Sequence, residues 1–156
     1  MSQRLAAYAV CIDRDCVLLA LAVSPTGERT WTLPGGRVEQ DEDPFDTVTR
    51  EVAEETGCTG EVVRILGVDS RLIPAADRLP GLPDHQNVGI FYAVRITGGT
   101  LRPEPNGDTA ESVWTPLSDV GSRRRSSLVD IGLSLAHDLP PTGHVDPVPV
   151  GGLVQH

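Results

Sequence analysis

The sequence lacks the features of a membrane, secreted or disulfide-bonded protein. It has no run of roughly eighteen or more apolar residues, so no transmembrane helix is predicted. The N-terminus has no basic segment followed by an apolar one, so no secretory signal is expected. The 3 cysteines are odd in number and form no Cys-x-x-Cys pair, which favours reduced thiols over disulfides or zinc. We therefore expect a cytoplasmic protein with no membrane partner.

Basic residues are also scarce, with 13 Lys and Arg against 22 Asp and Glu and a net charge of −9. Because binding to a nucleic-acid polymer normally needs a basic surface, no such partner is expected. A content of 39% hydrophobic and 22% charged residues is ordinary for a globular protein, and 156 residues are enough for one domain with a substantial core. We predict a domain over residues 1–139 and a Pro/Gly-rich tail over residues 140–156.

The most informative segment spans residues 36–58 and reads GRVEQDEDPFDTVTREVAEETGC. Asp43 is a good N-cap and Pro44 suits the first helical position. Gly57 suits a left-handed C-cap, so a helix is predicted over Pro44–Thr56.

Three glutamates of this helix, Glu51, Glu54 and Glu55, share one face because they lie at i, i+3 and i+4. Like charges at this spacing repel one another, and carboxylate oxygens are the ligands that Mg²⁺ prefers. The face is therefore a candidate metal site, with a solvated acidic surface as the alternative.

The wider pattern resembles the Nudix box, Gly-x5-Glu-x7-Arg-Glu-U-x-Glu-Glu-x-Gly-U, where U is a bulky aliphatic residue. All seven fixed positions match, and the departure is Cys58 at the last aliphatic position, which packs as a small hydrophobe. The resemblance implies an α/β fold, the Nudix α/β/α sandwich with a mixed β-sheet between helices. It also implies Mg²⁺-dependent hydrolysis of a diphosphate bond by metal-activated water, with Mn²⁺ as an alternative ion.

The resemblance further implies roles for individual residues. The metal would be held by the main-chain carbonyl of Gly35 and the carboxylates of Glu51, Glu54 and Glu55, with Glu54 bound directly or through water. Arg50 would orient these glutamates through charge-assisted hydrogen bonds, and Glu42 would pair with Arg50 to pin the preceding loop.

A general base must still accept the proton of the attacking water. Many Nudix relatives carry an acidic residue for this role on a loop before a strand with a Trp-x-Pro-Leu motif, which residues 114–117 match here. Asp108 and Glu111 precede the motif, and either could accept the proton or hold a further metal. His85 is a third candidate because the pKa of histidine suits base catalysis.

Apolar, β-prone segments predict the remaining strands. Leu5–Ile12 and Val17–Val23 are predicted to form a hairpin through Asp13–Asp15. Four further strands are predicted, at Trp31–Leu33, Glu61–Asp69, Val88–Thr97 and Ser112–Thr115. Apolar residues at helical spacing predict a second helix over Ser126–His137.

The group attached to the diphosphate is the least determined part of the function. A long loop is predicted over Arg71–Asn87, well placed to contact this group, and the candidate substrate-binding residues are Arg71, Arg78 and Trp31. Pro74 follows the box at the spacing of some relatives that cleave ADP-ribose. The resemblance thus slightly favours ADP-ribose or another nucleotide sugar over nucleoside triphosphates, including oxidised ones.

Two other functions and two states of the tail stay open. Some Nudix-fold domains are catalytically silent nucleotide sensors, although these usually have broken boxes. One branch isomerises prenyl diphosphates, which needs a catalytic cysteine in a recognisable setting.

The tail is either disordered or packs its Val148–Val154 stretch on a neighbouring subunit, which would make a homodimer.

Overall fold

The computed structural model describes residues 1–152. The strands in this part of the chain are β1 (Ser2–Val10), β2 (Ile12–Asp13), β3 (Cys16–Val23), β4 (Arg29–Thr32), β5 (Gly35–Arg37), β6 (Cys58–Ile73), β7 (His85–Gly99) and β8 (Thr109–Pro116). The α-helices are α1 (Pro44–Thr56) and α2 (Ser127–Asp138), and short 3-10 helices cover Ala75–Asp77 and Leu117–Ser122. None of the helices within residues 1–152 is long and apolar enough to cross a membrane.

The strands form two sheets. The first is a mixed sheet in the order β5-β1-β7-β6, in which β1 and β7 are parallel and the other pairs are antiparallel. The second is antiparallel and has β3 hydrogen-bonded to β2, β4 and β8. The mixed sheet was expected, whereas the division of the strands between two sheets was not.

The helices cover opposite faces of the mixed sheet. Val48 and Val52 of α1 pack in one core with Ala7 and Ala9 of β1. On the other face, α2 contributes a second core with Ala6, Tyr8 and Val10 of β1, through Leu128, Val129, Ile131 and Leu135. Because successive strand residues point to opposite faces, β1 serves both cores and separates the two helices. The expected α/β/α arrangement is confirmed.

The predicted helix over Pro44–Thr56 is confirmed at both ends. The Asp43 carboxylate accepts a hydrogen bond from the Phe45 N–H at 2.8 Å, and Gly57 ends the helix with a φ of 82°. The second helix begins one residue later than predicted because Ser126 is its N-cap, accepting a hydrogen bond from the Leu128 N–H at 3.2 Å. Local capping residues therefore determine both helices.

The predicted hairpin between Leu5–Ile12 and Val17–Val23 is wrong in its extent. Only the two residues of β2 pair with β3, through a turn in which Arg14 and Asp15 both have positive φ, as a tight hairpin requires. The main part of β1 belongs to the mixed sheet, where its parallel partner β7 lies more than 80 residues away in the chain. A strand that is buried on both faces is typical of such parallel pairing.

Strands β6 and β7 are much longer than predicted. They shorten the long loop expected over Arg71–Asn87 to residues 74–84, and Arg71, His85 and Asn87 become strand residues. Polar residues interrupt the apolar pattern at these strand ends. The backbones nevertheless remain paired there, from the pair of Ser70 with Val88 to the pair of Ile73 with His85. The pattern therefore underestimates strands that place polar side chains in the interior.

The described part of the tail, residues 140–152, packs on its own domain. The Gly143 carbonyl accepts a hydrogen bond from the Val68 N–H at 2.9 Å, and the Gly151 carbonyl accepts one from the Ser127 N–H at 2.9 Å. Val145 and Val148 lie against the core beneath α2. The described part of the tail is thus packed rather than disordered. Contact of the Val148–Val154 stretch with a neighbouring subunit stays a prediction, and the end of this stretch lies outside the described residues.

Candidate active site

An open cavity of about 480 Å³ lies between the two sheets and the N-terminus of α2. Strands β1, β3, β4 and β5, helix α1 and the segment before β8 all contribute to its wall. Its acidic lining residues are Glu39, Glu51, Glu54, Glu55, Glu104 and Asp108. Two arginines, Arg4 and Arg37, also line it. The cavity thus brings the carboxylates of residues 36–58 together with residues far from them in the sequence.

Helix α1 brings the Glu51 side chain against the backbone of Gly36 in β5. A Cβ atom at position 36 would lie 2.7 Å from Glu51 Oε1 and 2.8 Å from Cδ, much closer than ordinary van der Waals contact. The lack of a side chain at Gly36 therefore leaves the space that the Glu51 carboxylate occupies. Because glycine has no side chain, the Glu51 carboxylate can lie directly against the backbone at position 36.

Gly35 has a related role for Glu55. The Gly35 N–H donates a hydrogen bond to Glu55 Oε2 at 3.0 Å. Gly35 has a φ of 155°, and a Cβ there would lie 2.3 Å from the Ala7 carbonyl oxygen of the neighbouring strand. Only glycine allows the backbone of β5 to approach both β1 and the helix this closely.

Arg50 connects the loop before α1 with the glutamates of the helix. Its Nε and Nη2 donate to the two Glu42 carboxylate oxygens at 2.7 and 2.9 Å, so the predicted pairing is present. Its Nη1 lies 3.1 Å from Glu51 Oε1 and 3.2 Å from Glu54 Oε2. Hydrogen bonds from Arg50 and then from Thr47 lower the pKa of Glu42 to about 2. This bidentate pair, with side chains that are 28% and 17% exposed for Arg50 and Glu42, holds the loop in place.

Three other carboxyl groups of the cavity, those of Glu51, Glu55 and Glu104, have raised pKa values. Burial raises the pKa of Glu51, and the neighbouring charge of Glu54 raises it further. Burial, and then the charge of Glu51, raises the pKa of Glu55 well above its usual range, although the hydrogen bond from Gly35 opposes this. Burial and the charges of Asp108 and Glu54 likewise raise the pKa of Glu104. A cation among these groups would relieve the repulsion.

The predicted metal site is not preformed. Within residues 1–152, no three His, Cys, Asp or Glu side chains are arranged so that they could hold a metal ion. The carboxylates of Glu51 and Glu54 face Arg50, and that of Glu55 faces the Gly35 N–H. These hard oxygen donors, together with the raised pKa values of Glu51 and Glu55, fit a divalent cation such as Mg²⁺. Their geometry requires that the carboxylates turn from these partners toward the ion.

The candidates for the general base differ in whether they line the cavity. Asp108 lines the cavity, whereas Glu111 is exposed on β8 and does not line it. Glu104 lines the cavity as well and was missed in the sequence, because it lies in a Pro-rich turn without periodic pattern. The signal that could have found it is its position between the box and the Trp-x-Pro-Leu strand, the same criterion that selected Asp108.

His85 and Arg71 are buried strand residues outside the cavity lining. His85 Nδ1 lies 2.7 Å from Ser2 Oγ, which ties β7 to β1. The Arg71 guanidinium donates to Asp69 Oδ2 at 3.0 Å and makes a short hydrogen bond to Ser127 Oγ. Arg71 is only 8% exposed, so its hydrogen-bonding capacity serves the contact between β6 and α2.

Arg78 and Trp31 also lie outside the cavity lining. Arg78 donates to the Pro83 carbonyl oxygen at 2.5 Å within its own loop. Trp31 is half-buried against the core beneath α2, and the Arg123 guanidinium lies 5.9 Å from its ring centroid. The structure thus brings none of the three predicted substrate-binding side chains to the carboxylates.

A protein-family model described as the NUDIX domain matches residues 2–132. The chain belongs to the Nudix hydrolase family. The matched range includes both sheets, helix α1 and every residue that lines the cavity. The α1 carboxylates that line the cavity therefore belong to the Nudix box of this domain; they are those of Glu51, Glu54 and Glu55.

Known Nudix proteins resemble the chain over most of its length. A MutT-like protein of Streptomyces ambofaciens is 48% identical over 129 residues, covering 83% of this chain and 73% of that protein. An 8-oxo-dGDP phosphatase of Mus musculus is 28% identical over 126 residues, covering 77% of this chain and 35% of that protein. The crystal structure of an ADP-ribose pyrophosphatase from Streptococcus suis 89-1591 has a TM-score of 0.62 and 26% identity, covering 87% of this chain and 89% of that one.

The lengths of these Nudix proteins differ widely. The chain spans 43% and 27% of the length of two other curated relatives that it matches. The shared part is thus the Nudix domain, and the relatives carry additional sequence.

Proposed function

We propose that the protein hydrolyses the diphosphate bond of a nucleoside diphosphate linked to another group, in a reaction that depends on Mg²⁺ or Mn²⁺. The observation that supports this most directly is the convergence of Glu51, Glu55 and Glu104 on one cavity. All three carboxyl groups have raised pKa values, chiefly from burial. Because these carboxyl groups are costly to ionise, a divalent cation bound among them would stabilise their charged forms. The bound cation would in turn attract a polyanionic substrate.

Glu51, Glu54 and Glu55 would hold the ion, and the Gly35 carbonyl is a further candidate ligand. When bound, the ion would neutralise phosphate charge and lower the pKa of a water molecule. Arg50 positions Glu51 and Glu54, and Glu42 holds Arg50. Arg50 is therefore a positioning residue.

The chemistry needs a carboxylate to accept the proton of the attacking water. The water oxygen forms a bond to phosphorus, the phosphoanhydride P–O bond breaks, and the leaving phosphate takes the electron pair. We infer that Glu104 or Asp108 accepts the proton, which is supported by the presence of both in the cavity lining with the α1 glutamates. Burial raises the pKa of the Glu104 carboxyl group, which suits Glu104 to accepting a proton. Glu104→Gln should then lower kcat and alter its pH profile more than Asp108→Asn.

For the attached group, ADP-ribose or a related nucleotide sugar is the leading candidate and an oxidised nucleotide is the second. The ADP-ribose pyrophosphatase is matched over 89% of its own length, whereas the 8-oxo-dGDP phosphatase is matched over 35%. ADP-ribose would give AMP and ribose 5-phosphate. The expected cytoplasmic location and the homodimer stay predictions.

An isomerase mechanism finds no support in the cysteines. Burial raises the pKa of the Cys11 thiol to about 12, so it is not a reactive thiolate at neutral pH. Cys58 is also buried, and neither it nor Cys16 lines the cavity.

A screen of nucleotide diphosphates with Mg²⁺ tests the proposal. We expect release of AMP from ADP-ribose by the wild type, abolished by chelator and reduced at least about 100-fold by Glu55→Gln. Glu61→Gln serves as the matched control, because Glu61 is exposed on β6 and pairs with Arg95 far from the cavity.

Turnover that survives both chelator and Glu55→Gln would refute the metal mechanism. Turnover of 8-oxo-dGDP but not ADP-ribose would select the second substrate class. Nucleotide binding without turnover of any diphosphate would instead indicate a nucleotide sensor.

A further inference from the structure

Polar side chains share one face of the mixed sheet next to the cavity. Alternation along β1 places Arg4 on the same face as Ala6 and Tyr8, which belong to the core beneath α2. Residues opposite each other on paired strands share a face, and Arg4 is opposite Asn87 of β7. By the same rule, Arg37 of β5 shares this face because it is opposite Ala6.

This face contributes two arginines to a cavity whose other charged lining residues are acidic. Arg4 and Arg37 both line the cavity, and Arg71 on the same face binds Asp69 and Ser127 outside the lining. The positive charge extends further, because burial and the charges of Arg78, Arg4 and Arg37 together lower the pKa of His85. The acidic wall on α1 can take a cation, and the basic face can take an anion.

Two buried polar atoms on this face lack a hydrogen-bond partner among residues 1–152. They are Asn87 Oδ1 and His85 Nε2, on side chains that are 1% and 3% exposed. The Asn87 amide donates to the hydroxyl of Tyr8 at 3.2 Å, and Tyr8 lines the cavity. Buried polar atoms usually have a partner, so this region has capacity for ligand or water hydroxyl groups beside the two arginines.

We propose that Arg4 and Arg37 form a subsite for the phosphate of a ribose phosphate, one of the two halves that flank the cleaved bond. This rests on the proposed function with ADP-ribose as the substrate, since ADP-ribose carries a ribose phosphate on each side of the cleaved bond. The guanidinium groups would bind the phosphate oxygens by charge-assisted hydrogen bonds. Asn87 would accept a hydrogen bond from a ribose hydroxyl or from a water molecule that bridges to it.

The test is calorimetric binding of ribose 5-phosphate and of AMP, each in the presence of chelator so that metal is not involved. At least one of the two should bind the wild type, and Arg4→Gln and Arg37→Gln should each weaken it about tenfold or more. Unphosphorylated ribose should not bind. Arg95→Gln is the matched control, because Arg95 is exposed on β7 and pairs only with Glu61 among the described contacts.

Preference for ribose 5-phosphate or for AMP supports the subsite and tells which half of the substrate it takes. Absence of binding by both ligands overturns it, as does equal binding by the wild type and the two arginine variants. Arg37 is exposed, so Arg37→Gln keeps the test valid if Arg4→Gln fails to fold. Ribose phosphate binding without hydrolysis of any diphosphate would remove the proposed function and leave the subsite.

Discussion

Replacement of Gly36 by alanine should reduce turnover while leaving the protein folded. The new Cβ would lie 2.7 Å from Glu51 Oε1, whereas ordinary contacts begin near 3.4 Å, so the carboxylate must move by about 0.7 Å. The atom that must move is the end of a flexible side chain. We therefore expect the free energy of unfolding to change by less than about 1 kcal/mol.

The expected loss of activity is larger because catalysis depends on position. Misplacement of a catalytic group by about 1 Å can cost on the order of 100-fold in rate. The same movement would disturb the 3.1 Å contact between Glu51 Oε1 and Arg50. We expect Gly36→Ala to lower kcat about 10- to 100-fold, which corresponds to about 1.4–2.7 kcal/mol of activation free energy.

Gly35→Ala provides the matched comparison, because its Cβ would meet backbone. The nearest atoms are the Ala7 carbonyl oxygen at 2.3 Å and Tyr8 Cα at 2.8 Å, which cannot rotate away. This variant should lose about 2 kcal/mol or more of unfolding free energy in denaturant titrations. Steady-state kinetics and unfolding curves on both variants form the assay. A Gly36→Ala protein with unchanged kcat, or a Gly35→Ala protein as stable as the wild type, would refute the reasoning.

Three further predictions concern charge and the tail. Because the folded pKa of Glu42 is about 2 against an ordinary 4.5, its stabilising contribution is complete above about pH 4.5 and is lost as the pH falls toward 2. Denaturation curves should therefore show a deficit for Glu42→Gln at pH 6 that disappears near pH 2; a constant deficit would contradict this. Since the pKa of Glu55 is raised, Mg²⁺ must displace a proton, and calorimetric affinity should rise with pH in the wild type but less in Glu55→Gln. Affinity independent of pH would argue against that linkage. Removal of residues 140–156 should lower the unfolding free energy by on the order of 3 kcal/mol and reduce Tm, because the hydrogen bonds at Gly143 and Gly151 and the packing of Val145 and Val148 are lost. An unchanged Tm would mean that the tail contributes nothing to stability.

The parts of the fold that depend on neighbours in sequence could be predicted. Asp43 and Gly57 define helix α1 through their own backbone preferences, and the spacing of the glutamates places them on one face. The partners of β1 could not be predicted, because its parallel pairing with β7 joins segments more than 80 residues apart. Nothing local in the sequence distinguishes that pairing from a hairpin with β3.

The same distinction applies to the candidate site. Glu42, Arg50 and the three helical glutamates lie within one short segment, and the predicted contact between Glu42 and Arg50 is present. Glu104 reaches the cavity from a turn between strands, so its place depends on the whole second sheet. Arg71 looked exposed because it was assigned to a loop, whereas extension of β6 buries it against α2.

The two sides of the cavity differ in how they are encoded. Glu39, Glu51, Glu54 and Glu55 come from a single stretch of sequence, whereas Arg4, Ala22, Thr32 and Leu128 come from β1, β3, β4 and the first turn of α2. Substitutions on those separate elements can change what the cavity accepts without touching the residues that carry the chemistry. Point mutations on these elements can therefore change which substrates the domain accepts while the reaction stays the same. Duplicated copies of this chain would be expected to diverge first at positions such as Arg4 and last at Glu51 and Glu55.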